Sequence, residues 1–105
     1  MRIEVVAGDT INQQARTYAE YRVFAALTRF ADAEKVRRAR VVLRPVDRGR
    51  GCDSVACSVT VALAGADAIR IRATGPHAYA AINHAVERMR ITAATTGLVA
   101  DPISM

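Results

Sequence analysis

Fourteen arginines and a single lysine, Lys35, are the side chains of this chain best equipped to bind a ligand. A guanidinium presents a planar fork of donors that matches two phosphate oxygens, so an arginine-rich surface points to nucleic acid. Fifteen basic residues face ten acidic ones, a net charge of +5. A GC-rich genome would write Arg for Lys and explain their ratio, but not the excess over Asp and Glu. Other reactive residue types are sparse. Cys52 and Cys57 form neither a Cys-x-x-Cys redox pair nor a zinc-binding spacing. His77 and His84 fall on the exposed side of a predicted helix, with Arg88 one turn after His84 and no Cys or carboxylate pattern beside them. They read as surface histidines, and no metal is expected. Asp9, Asp32, Asp47, Asp53 and Asp67 sit in turn-like segments, where Asp is favoured for backbone reasons. Gly49-Arg50-Gly51 is too short for a phosphate-binding glycine loop. Neither a nucleophile with its base nor a pair of buried carboxylates can be assembled. The chain is therefore expected to be no enzyme, with no cofactor and no small-molecule substrate.

The elements that must position the arginines can be read from periodicity. Ile3, Val5 and Ala7 alternate with Arg2, Glu4 and Val6, a strand with one buried face. Thr10 to Gln13 has capping-box spacing, with Asn12 as an alternative cap, and opens a helix that runs to about Ala31. Its stripe is Ala15, Ala19, Val23, Ala26 and Phe30, which leaves Tyr21 and Phe24 to one side. Three strands follow. In the first, Ala39, Val41 and Leu43 oppose Arg38, Arg40, Val42 and Arg44. In the next, Val55, Cys57, Val59, Val61 and Leu63 oppose Ala56, Ser58, Thr60 and Ala62. In the last, Ile69, Ile71 and Ala73 oppose Arg70 and Arg72. Short loops between them make an antiparallel meander. Gly75-Pro76 starts a second helix with Pro76 at its first position. Tyr79, Ile82, Val86, Met89 and Ala93 form its stripe, and Gly97 ends it. The order β-α-β-β-β-α implies an α+β two-layer sandwich, a four-stranded sheet with both helices on one face. Residues 1–96 form one domain and 97–105 a short, flexible tail. The 105 residues suit a single domain.

No apolar run reaches the roughly 20 residues of a membrane span. The opening residues lack the apolar run of a signal peptide. Two cysteines do not make a disulfide scaffold, so the expected compartment is the cytoplasm. On the outer sheet face, Arg38, Arg40, Arg44, Arg70 and Arg72 surround the small residues Ser58 and Thr60, and Arg2 can join them. A solvated polar face would look the same. The basic hairpin at Arg48 and Arg50 tips the reading towards RNA or DNA. Stacking aromatics and a GxxG loop are both absent, which disfavours base-reading modules such as the RRM and KH domains and favours binding by backbone and shape.

The stretch Ile71-Arg72-Ala73-Thr74-Gly75-Pro76-His77-Ala78-Tyr79-Ala80-Ala81-Ile82-Asn83, continued by Ala85, Val86 and Arg88-Met89, resembles the ribosome hibernation-promoting factor and ribosome-associated inhibitor family. Met1-Arg2-Ile3-Glu4-Val5, then Ile11, Arg16, Tyr18, Glu20, Arg22 and Phe30, and Arg40-Val41-Val42-Leu43 extend the likeness over about residues 1–92. The resemblance implies a dsRBD-like fold and binding to 16S rRNA in the tRNA and mRNA channel of the small ribosomal subunit. Translation would then be blocked sterically, without catalysis. Carried over by position, Arg22, Arg88 and Arg90 fall at or near basic sites of the two helices. The dimerising second domain of the family's long forms is expected to be absent.

Departures from the family pattern suggest an alternative. Asn83 stands where the motif has Asp, and Pro76-His77-Ala78 replaces an acidic turn. No basic residue follows Arg90 in the second helix, and Tyr21, Phe24 and Ala25 occupy places that are usually charged. Each lost phosphate contact lowers affinity. The alternative is a divergent member that acts as a homodimer or protein-interaction module through Tyr21 and Phe24, without binding ribosomes. Generic duplex RNA binding is a third reading.

Overall fold

The computed structural model describes residues 1–8, 11–29, 33–47, 53–65 and 67–96. Within them the chain runs β1 (Arg2–Ala7), α1 (Gln13–Leu27), a 3-10 turn (Ala33–Lys35), β2 (Val36–Asp47), β3 (Asp53–Leu63), β4 (Ile69–Gly75) and α2 (Ala78–Thr96). The strands lie in the order β1-β2-β3-β4. β1 runs parallel to β2, and β2, β3 and β4 form the antiparallel meander. A parallel pair needs a long crossover, and α1 supplies it.

Alternation sets the core. Val41, Val59 and Val61 are fully buried, as are Ala39 and Cys57. Ile3, Val5 and Ala7 of β1 join them through their register with Ala39, Val41 and Leu43. On α1 the buried stripe is Ala15, Ala19, Val23, Ala26 and Leu27. On α2 it is Ala81, Ile82, Ala85, Val86 and Met89. The helices meet where Tyr18 packs edge-on against Tyr79, with ring centroids 5.1 Å apart.

Four local details refine or correct the sequence expectation. Asn12 caps α1: its Oδ1 accepts from the Ala15 N–H at 2.8 Å, while Thr10 lies outside the described residues. α1 stops at Leu27 rather than near Ala31. Its last turn tightens, because the Arg29 N–H donates to the Ala26 carbonyl at 3.2 Å, an i to i+3 bond. Phe30 and Ala31 lie outside the described residues, and Leu27 ends the stripe. Pro76 is not the first residue of α2. His77 caps that helix, its carbonyl accepting from Ala81 and its Nδ1 from the Ala80 N–H at 3.2 Å. The fourth detail is a bulge at Arg37: Val36 pairs with Leu63 and Arg38 with Ala62. One extra residue resets the parity of β2, so Val36 is buried while Arg37 and Arg38 are both exposed. The predicted ends at Gly97 and in the tail lie outside the described residues.

Gly75 is where β4 meets α2. A Cβ on it would lie 2.6 Å from the Ala81 nitrogen and 2.8 Å from the Ala80 Cβ. These are backbone and short side-chain atoms that cannot swing away. Gly75→Ala is therefore expected to lower stability by about 1–3 kcal/mol in urea unfolding, the usual cost of overpacking. Gly65→Ala serves as a contrast: no atom lies within 4 Å of its Cβ position, and only the positive φ of 74° opposes the change.

Candidate nucleic-acid interface

The same alternation that buries valines turns arginines outward. Arg38, Arg40, Arg44, Arg70 and Arg72 are all exposed on the face opposite the helices. The register arranges them in rows. Arg40, Thr60 and Arg70 share one row; Val42, Ser58 and Arg72 the next; Arg44, Ala56 and Thr74 the third. Two strand spacings separate the backbones of Arg40 and Arg70, about 10 Å. Arg2 extends the surface beside Arg38, and Glu4 beside Arg40 is the acid in these rows. Ala56, expected to point outward, does so but is only 4% exposed. It lies in a shallow groove of about 230 Å³ lined with Val42, Ser58, Arg44 and Arg72. Long arginine stems shelter a small residue while their heads stay in water.

The helix arginines divide. Arg88 joins Arg70 and Arg72 along the free edge of β4, where they line a groove of about 250 Å³ with Ile71, Ile91 and Thr92. Arg90 is exposed, but its guanidinium binds Glu87 at 2.8 Å, the one ion pair among the described residues. Arg22 is half-buried between the helices. Its Nε donates to Asn83 Oδ1 at 3.2 Å, and the Tyr18 hydroxyl donates to the same oxygen at 2.7 Å. Asn83 thus holds Arg22 in place without neutralising it. Periodicity could not reveal this trio, because Tyr18 and Asn83 are 65 residues apart. Arg48 and Arg50 lie outside the described residues.

The histidines have structural partners. His77 Nδ1 caps α2, and His84 Nδ1 lies 2.9 Å from the Thr74 carbonyl, which ties α2 to β4. Cys57 is fully buried, and burial pushes its thiol from the ordinary 9.0 up to about 12. It is a core residue with an inert thiol. Cys52 lies outside the described residues. Among the described residues, no three His, Cys, Asp or Glu side chains gather to hold a metal ion. No described helix is long and apolar enough to cross a membrane. Tyr21 and Phe24 are 67% and 51% exposed, so the packed stripe of α1 leaves both outside the core.

The model of the family described as Sigma 54 modulation protein / S30EA ribosomal protein matches residues 6–92. No curated protein matches the chain. A ribosomal subunit interface protein from Coxiella burnetii is similar in structure, with a TM-score of 0.71 at 13% identity over 91% of this chain and 97% of that one. The N-terminal domain of Protein Y from Thermus thermophilus gives 0.68 at 21% identity, over 91% and 99%. Likeness at these identities is one of fold, and the fold is the β-α-β-β-β-α sandwich described above.

Two expectations follow from these sites. Asn83→Ala should cost about 1 kcal/mol in urea unfolding, the scale of a lost hydrogen bond, whereas Asn83→Asp should retain the stability because a carboxylate accepts both donors. Cys57 should make stability fall with rising pH between about 9 and 12, since the unfolded thiol loses a proton there and the folded one keeps it. The slope should exceed that of Cys57→Ala by up to about 1.4 kcal/mol per pH unit, read from urea midpoints.

Proposed function

The chain belongs to the Sigma 54 modulation protein / S30EA ribosomal protein family, and from that premise we propose that it is a ribosome-associated translation inhibitor. Its partner is the small ribosomal subunit, and its ligand is 16S rRNA in the tRNA and mRNA channel. It acts by filling that space, in the cytoplasm, without catalysis, cofactor or small-molecule substrate. Residues 1–96 serve as one binding module, with 97–105 as a tail.

The observation that carries this reading is the continuity of exposed arginines from Arg38, Arg40 and Arg44 across the sheet to Arg70 and Arg72, then over the β4 edge to Arg88. Such a surface meets phosphates at several points without reading bases, which suits folded RNA. Arg22 contributes from the helix side. Arg90 is a weaker contributor, because Glu87 already shares its guanidinium. Arg48 and Arg50 belong to the proposed surface by their place between β2 and β3.

Co-sedimentation with purified small subunits across a salt series tests the proposal. Six phosphate contacts, one for each arginine of that surface, predict a log–log slope of affinity against salt of about −4.2 to −5.4. Arg72→Glu/Arg88→Glu should weaken binding at least about tenfold and flatten the slope by about 1.4 to 1.8. Saturable binding that ignores salt would overturn the mechanism. Equal affinity for any A-form duplex would favour generic duplex binding over the ribosome.

A further inference from the structure

The two edges of the sheet differ in chemistry. Arginines line the β4 edge, whereas at the β1 edge Met1, Ile3, Tyr21 and Phe24 make the helix side largely apolar and Arg2 and Glu4 stand on the outer side. β1 has a single neighbour, β2, so half of its main-chain groups face away from the sheet. Above that free side α1 presents Thr17, Glu20, Tyr21 and Phe24. With Met1 and Ile3 they line a groove of about 380 Å³. Strand edges of this kind recruit another strand.

We propose that the occupant is β1 of a second copy of this chain, paired antiparallel about a two-fold axis at Ile3. Charge selects that register. Centred on Ile3, the pairing sets Arg2 opposite Glu4 of the other copy and Glu4 opposite its Arg2, on the outer face. Centred on Glu4, it would set two carboxylates against each other, and centred on Val5 it would leave Arg2 and Glu4 opposite no charge. Opposite charges in directly facing positions stabilise a pair of strands, and like charges oppose it.

The groove provides an independent observation that agrees. Its strand residues are Met1 and Ile3, at the end of β1 that this register brings to the axis, and not Val5 or Ala7. Tyr21 and Phe24 of both copies then flank the axis and cover each other. The two-fold axis stands perpendicular to the sheet, so the dimer is one eight-stranded sheet. All four helices lie on one side, and both arginine faces lie together on the other. The pairing needs no RNA, and it stands or falls separately from ribosome binding.

Sedimentation velocity of the full chain without RNA tests the pairing. The contact is a small one, and a dissociation constant on the order of 10 µM is expected. Arg2→Glu leaves the fold intact, because the new carboxylate lies beside Arg38 in the same sheet. It sets Glu against Glu4 across the axis and should weaken the dimer about tenfold. Glu4→Arg should do the same, with circular dichroism confirming its fold. A mixture of the two variants restores both opposite-charge pairs, and should form heterodimers about as tight as the parent. Phe24→Asp, at an exposed site, should also weaken the dimer. A parent chain that stays monomeric at about 200 µM, far above the expected constant, overturns the proposal. A dimer indifferent to Arg2→Glu, or a mixture that does not associate, overturns the register.

Discussion

The two-residue period of the sheet is the constraint on which the rest depends. In β2, β3 and β4 the buried inward positions are apolar, and most outward positions are Arg, Ser, Thr or Ala. A slip of one residue would drive Arg38, Arg40, Arg70 and Arg72 into the core and expose Val41, Val59 and Ile71. A buried unpaired guanidinium is costly enough that the register has one acceptable answer. The packing that stabilises the fold and the exposed arginine surface are therefore two sides of one pattern. Cys57 shows how complete the separation is, since burial alone makes its thiol inert.

The helices add position rather than pattern. α1 packs through small residues, Ala15, Ala19 and Ala26, so it lies close to β1 and β2 and leans on α2 through Tyr18 and Tyr79. That closeness lets one amide, Asn83, collect both Tyr18 and Arg22. Gly75 allows a similar approach at the other side, where the end of β4 nearly touches the first turn of α2. His84 secures the same corner through the Thr74 carbonyl. Family membership and the likeness in fold to a ribosomal subunit interface protein and to the Protein Y N-terminal domain fit this geometry. The arginine surface is what a phosphate-rich partner requires. Tyr21 and Phe24 instead break the charge of α1 at the opposite edge, so an exposed apolar patch lies apart from the basic surface.

Most of the architecture was legible in the sequence because alternation and helical stripes are local properties. The buried stripes and the outward arginines follow from spacing within single elements, and the meander from the short loops between strands, whereas the exposure of Tyr21 and Phe24 depended on how α1 sits on the sheet. The likeness of Ile71 to Asn83 to a known family agreed with the element order already read from periodicity. Helix ends were less legible. Asn12 and Thr10 were both acceptable caps, and His77 as a cap of α2 carries no strong sequence signal, since Ser, Thr, Asp and Asn usually fill that role.

What only the tertiary structure decided is how separate elements meet. The bulge at Arg37 is invisible to a strict two-residue reading, which would have turned Val36 outward. The grouping of Arg88 with Arg70 and Arg72, the pairing of Arg90 with Glu87, and the hold of Asn83 on Arg22 depend on the angle and depth at which α2 lies on the sheet. The chemical contrast between the β1 and β4 edges required knowing the strand order. Local sequence determines which face of an element is apolar, because that is a matter of period. Which faces become neighbours is settled by packing, through contacts between residues far apart in the chain, and no local period encodes them.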